Sequence, residues 1–205
     1  MEEGGLAAAF FIVFVGQTER TPENYEQAKA DAVKKFDAIH RMAEQMYPDR
    51  IKLAYSADDV ERIVAQGKLV AVLGIENGYV IGQDLSLLGD YHRRGARYIT
   101  LAHNGHHDIA DSAALRPRLG DSASEHDGVS AFGEEVIAEM NRLGIMVDVS
   151  HISKQAMLEA VQLLAAPVIA SHSSTRSLRD HGGVMQTVGL DTFVSGREPP
   201  PGRRP

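Results

Sequence analysis

The chain has 205 residues, 43% of them hydrophobic and 24% charged, which suits one ordinary domain or most of a larger barrel. Its formal charge of −7 and the lack of a basic stripe exclude a nucleic-acid or anionic-membrane surface. Cysteine is absent, so disulfides and thiolate metal sites are excluded and any metal must use His, Asp or Glu.

Leu6 to Val15 (LAAAFFIVFV) is the first element. Ten apolar residues are too few to span a bilayer, and the acidic start Met1-Glu2-Glu3 is unlike a secretion signal. Without alternation, the run predicts a buried strand covered on both faces, as in a parallel sheet. Thr21-Pro22-Glu23 opens a helix to about Tyr47, and Ser56 caps a shorter one to about Gln66. Leu69 to Ile75 is a second buried strand. Asp84 to Arg94 is helical and ends at Gly95, and Arg97 to Leu101 is a third strand. Residues 103–131 form a long polar loop, which in a compact domain is usually functional. Phe132 to Leu143 is a helix stopped by Gly144.

Two short apolar runs follow, Ile145 to Val149 and Pro167 to Ala170, and each exits on a histidine, His151 and His172. Between them, Ser153 to Leu164 reads as a helix. Gly183 to Val188 is a last strand-like stretch. The alternation predicts a parallel α/β fold, either an open doubly wound sheet or an incomplete (β/α)8 barrel. No G-x-G-x-x-G follows the first strand, so dinucleotide binding has no support. Residues 1–190 form the domain, and 191–205, rich in proline and arginine, form a tail expected to be disordered.

Successive parallel strands point the same way, so both histidines emerge on one rim, where α/β enzymes place their chemistry. Imidazole is the commonest ligand of a catalytic transition metal, which makes metal-dependent hydrolysis the first idea. Glu76 ends the second buried strand and His103 follows the third, so four consecutive strands finish on a group able to bind metal or substrate. Taken alone, Glu76 could equally be a helix cap or a loop hydrogen-bond acceptor. His106, His107 and His126 lack strand register, and a solvated loop position is their default. Asp108, Asp111 and Asp121 read as loop or capping groups. Asp148 either orients a ligand histidine from behind or caps a neighbouring loop. His181 has no register argument.

The chain resembles the membrane dipeptidase (renal dipeptidase) family, metallopeptidases on a (β/α)8 barrel related to the amidohydrolases. The matching stretches are Glu3 to Leu6, Gly74 to Gly78, Arg97 to Asn104 with Ala110 to Ser112, Met140 to His151, and Ala166 to Ser174. By that resemblance Glu76 is the carboxylate bridging two zinc ions, His151 and His172 are ligands of one zinc, and His103 contacts the substrate. The resemblance implies hydrolysis of dipeptides, including those with a C-terminal D-residue, by a hydroxide shared between two cations.

Family members begin with a strand ending in His-x-Asp, which supplies ligands to the other zinc. No His-x-Asp occurs in the first fifty residues here, and His40 lies mid-helix. After Asp180-His181 the sequence runs straight into Gly182-Gly183-Val184, without the arginine that grips the substrate carboxylate in the family. The last strand and its aspartate are not found. The chain is therefore expected to be a partial member missing the first and last barrel strands, holding one zinc or none and hydrolysing dipeptides poorly. A small dipeptide is the expected partner, a homodimer is left open, and a cytoplasmic location is the default. The competing readings are a non-enzymatic remnant with a partial metal site, and another amidohydrolase-like hydrolase such as a lactonase or deaminase.

Overall fold

The structure, a computed structural model, describes residues 1–173. Gly183 to Val188, His181 and the 191–205 tail lie outside the described residues. Strands β1 (Ala8–Phe14), β2 (Ile51–Leu53), β3 (Leu69–Glu76), β4 (Ala96–Thr100) and β5 (Met146–Asp148) form one sheet in the order β1-β3-β4-β5, with β2 also on β3. Every pairing is parallel. Helices α1 (Pro22–Arg41), α2 (Ala57–Ala65), α3 (Leu87–Arg93), α4 (Ala131–Leu143) and α5 (Lys154–Leu163) form the connections.

The helix starts follow their capping residues. Thr21, Ser56, Ser130 and Ser153 each accept a hydrogen bond from a first-turn backbone N–H through the side-chain oxygen. Helix α4 stops at Gly144, whose φ of 75° is left-handed. Helix α3 begins at Leu87 rather than Asp84, because the Asp84 carboxylate takes the Ser86 N–H and hydroxyl into a turn. The Pro167 to Ala170 run makes one isolated bridge rather than a full strand. Val149 N–H donates to Ile169 O and Ile169 N–H to Val147 O, both at 2.9 Å, which places the run beside β5.

The main core lies between the sheet and α1, α3, α4 and α5, where Val13, Phe36, Leu73, Ile75, Ile99 and Val147 meet. Gly133 lets α4 close on the polar loop. A Cβ there would stand 2.1 Å from the Ile109 carbonyl oxygen and 2.7 Å from Val129 Cγ1. A backbone oxygen cannot swing aside, so Gly133→Ala is expected to lower stability by about 3 kcal/mol, read from chemical denaturation.

The expectation that the first strand is covered on both faces is wrong. Val13 is buried, but Phe10, Ile12 and Phe14 are 44%, 36% and 37% exposed. In register they stand opposite Val72, Gly74 and Glu76, on the sheet face that the helices do not cover. Phe10 packs edge-on against Tyr98, which itself lies over Gly74, where a Cβ would be 2.3 Å from the ring. An apolar run without alternation announces two apolar faces. Among the described residues only one of them meets a helical layer. No described helix is long and apolar enough to cross a membrane.

Candidate metal centre

The C-terminal rim of the sheet gathers the four strand-end residues singled out in the sequence. Glu76 Oε1 lies 3.2 Å from His103 Nε2, 3.5 Å from His151 Nε2 and 3.3 Å from His172 Nε2. The two Nε2 atoms of His151 and His172 are 2.7 Å apart. The ring centroids of His103 and His151 are separated by 4.1 Å. Glu76, His103 and His151 are each partly buried and bring one ligand atom within 4.8 Å of the others. The imidazoles of His103 and His151 hold the Glu76 carboxyl far below the ordinary carboxylate range, against the opposing effect of burial. The carboxylate is therefore ionised at any working pH. One carboxylate oxygen among three imidazole nitrogens, with no thiolate, is the donor set of a divalent cation such as zinc, so the residues fit such an ion.

Backbone strain holds two of these exits. His151 has φ of 67° and Asn77, directly after Glu76, has φ of 84°, both left-handed. Such conformations cost about 1–3 kcal/mol each and persist where surroundings enforce them. Asn77 is enforced by its own amide, which donates to Val15 O at 3.0 Å and accepts from Tyr79 N–H at 3.2 Å. Asn tolerates this region better than most residues, which is the only sequence signal for its role. Phe14 lays its ring 4.9 Å from that of His103 and forms an apolar wall at one side of the cluster.

An apolar cavity of about 570 Å³ lies away from this rim. It opens at the strand starts, against Ala8, Phe10, Val72, Arg97 and Met146, and holds no cluster of acids and bases. The donor atoms converge at the other end.

The polar loop departs from expectation. His106 and His107 are each 1% exposed, not solvated. Asp111 draws the loop inward: it accepts from the backbone N–H groups of Glu125, His126 and Gly128 and from the Ser124 hydroxyl. It is the capping group expected, and Asp121 similarly accepts from the N–H groups of His106 and Arg116. Asp108 differs, since it takes the Tyr25 hydroxyl and the Gln83 amide. His126 Nε2 lies 3.0 Å from His107 O, and its side chain is 20% exposed. None of these groups reaches Glu76.

Burial lowers the pKa of His107 from 6.5 to about 4. Its Nδ1 accepts from Ile109 N–H at 3.3 Å, and Nε2 has no partner among the described residues. The unfolded chain takes up a proton on this ring below about pH 6.5, whereas the folded chain waits until about pH 4. Stability is thus complete above 6.5 and falls as pH drops toward 4, by at most on the order of 3 kcal/mol. His107→Asn, which keeps an acceptor for Ile109 N–H, is expected to flatten melting temperature against pH in that window. An unchanged slope would assign the acid sensitivity to other groups.

With this geometry in place, the comparisons with known proteins acquire residues to attach to. The family described as membrane dipeptidase (peptidase family M19) matches residues 1–186. The dipeptidase tcpJ of Claviceps purpurea is 37% identical over 183 residues, 87% of this chain and 41% of that protein. The dipeptidase aclJ of Aspergillus oryzae is 37% identical over 188 residues, 88% of this chain and 42% of its own length. The crystal structure of the probable dipeptidase PvdM from Pseudomonas aeruginosa superposes with a TM-score of 0.85 at 30% identity, covering 90% of this chain and 47% of that one. The chain spans less than half the length of these three proteins. Its parallel α/β sheet is the expected incomplete TIM-type wall, and the competing doubly wound and lactonase or deaminase readings fall away. From residue 1 to residue 186, the chain belongs to the membrane dipeptidase family of metallopeptidases.

Proposed function

We propose that the protein hydrolyses dipeptides, including those with a C-terminal D-residue, with zinc held by Glu76, His151 and His172 and with His103 facing the substrate. The observation that carries the reading is the convergence of three imidazole Nε2 atoms within 3.2–3.5 Å of one Glu76 oxygen. His103 is as near to Glu76 as His172 is, so distance alone does not separate ligand from substrate contact. Two features favour His172 as the ligand: its Nε2 makes the 2.7 Å contact with His151, and its Nδ1 is anchored by Ser171, as ligand imidazoles usually are.

A divalent cation supplies Lewis acidity toward a carbonyl oxygen and toward water. The ionised Glu76 carboxylate offsets its charge, and the strained His151 backbone aims one imidazole at the same point. In its Nε2–H form, His103 can donate to an oxygen gaining negative charge on the substrate. Phe14 excludes water from one side of that imidazole. The fungal relatives named dipeptidases support the substrate class. The test is release of free amino acids from an L-Ala-D-Ala type dipeptide by the purified 205-residue protein. Slow, zinc-dependent release is expected, with loss in Glu76→Gln. Release equal in the two proteins, or none at any zinc concentration, would overturn the proposal.

A further inference from the structure

Asp148 caps the backbone at both strand exits and reaches His172 only through Ser171. Its carboxylate is fully buried and accepts five hydrogen bonds. Oδ2 takes the Thr100 and Ser171 hydroxyls, both at 2.6 Å, and Oδ1 takes the Ser150 N–H at 3.1 Å, the Ser150 hydroxyl at 2.8 Å and the Ser171 N–H at 3.0 Å. Ser150 and Ser171 are the residues immediately before His151 and His172. One carboxylate thus ties together the exits of the two chain segments that carry these histidines. His172 N–H completes the tie by donating to Ser150 Oγ at 3.2 Å.

The same network settles a proton. The Ser171 hydroxyl hydrogen is committed to Asp148, yet Ser171 Oγ lies 2.7 Å from His172 Nδ1. Toward that nitrogen the oxygen can only accept, so Nδ1 carries the proton and Nε2 is left as a lone pair. That lone pair faces Glu76 and the His151 imidazole. We propose that Ser171, anchored by Asp148, is a positioning residue that fixes His172 in its Nε2-free form and so prepares it to bind the metal. The inference rests on the metal reading of the site above.

Ser171→Ala separates this role from folding, because the Ser171 backbone N–H still reaches Asp148. The metal-free variant is expected to melt as the parent does. Its zinc affinity, measured by competition with a chromophoric chelator, should fall about 10–100-fold, the usual effect of losing a ligand histidine's orienting partner. Ser171→Thr should recover most of that loss. Imidazole 15N spectra of the metal-free protein give a readout independent of zinc: His172 carries its proton on Nδ1 in the parent and moves toward the Nε2–H form in Ser171→Ala. Parent-like zinc affinity in Ser171→Ala, or an unchanged His172 tautomer, would overturn the inference and leave the metal reading standing. A parent protein that takes up no zinc would overturn both.

Discussion

Replacing Glu76 with glutamine is expected to weaken zinc binding by more than about 100-fold and to abolish dipeptide release. Losing only an outer partner of a ligand typically costs 10–100-fold, so loss of the central carboxylate should cost more. The substitution keeps the volume, and the strand residues around it are unchanged. The effect is therefore electrostatic. In the parent, one ionised oxygen lies within 3.5 Å of three imidazole nitrogens, and its pKa is held low by two of them. A carboxamide brings no charge to offset a dication, and its NH₂ group presents donors toward the same nitrogens. Metal-free Glu76→Gln should keep the parent's circular dichroism, because the cluster sits at the partly exposed rim and not in the core. Isothermal titration with zinc reads the loss directly. Affinity within a few-fold of the parent would remove Glu76 from the ligand set.

The four rim residues were legible because two simple periodicities coincide at them. Parallel strands alternating with helices all point the same way, so a polar residue at each apolar run's end must land on one rim. That argument needs only the ends of the runs, and Glu76, His103, His151 and His172 meet it. What supports them was harder to read. Asp148 acts through Ser150 and Ser171, and a pair of serines before histidines carries no signal until the two segments are side by side. His106 and His107 sit in a stretch whose composition reads as solvated, yet Asp111 gathers the backbone N–H groups of residues 125, 126 and 128 and folds the loop over them. Strand β2 escaped notice because it is three residues long with Lys52 at its centre. The apolar character of β1 was read correctly and its surroundings were not. Sequence states which faces are apolar, and only the arrangement states what covers them.

The 205-residue polypeptide by itself is expected to take up about one zinc and to turn over L-Ala-D-Ala type dipeptides at least 10²–10³-fold more slowly than an ordinary enzyme's roughly 10 s⁻¹. Among the described residues, only the Glu76, His103 and His151 group meets the geometry for a metal, with His172 beside it. Three protein ligands with an open position suffice for one catalytic zinc. The family resemblance assigns a second zinc to a His-x-Asp pair, and the first fifty residues contain none. A second ion would be left with a share of Glu76, and a single carboxylate does not hold zinc against water. Among the described residues, His106 and His107 are poorly placed to substitute. His106 and His107 are buried, and the Nδ1 atoms of both already accept backbone N–H groups. Losing one oxyanion donor costs about 10²–10³ in rate, and losing one of two cations should cost at least as much. Elemental analysis of zinc-saturated protein, alongside the dipeptide assay, decides the point. Two zincs per chain with turnover near 10 s⁻¹ would overturn this prediction and mean that further ligands come from elsewhere, from His106, His107 or a second subunit.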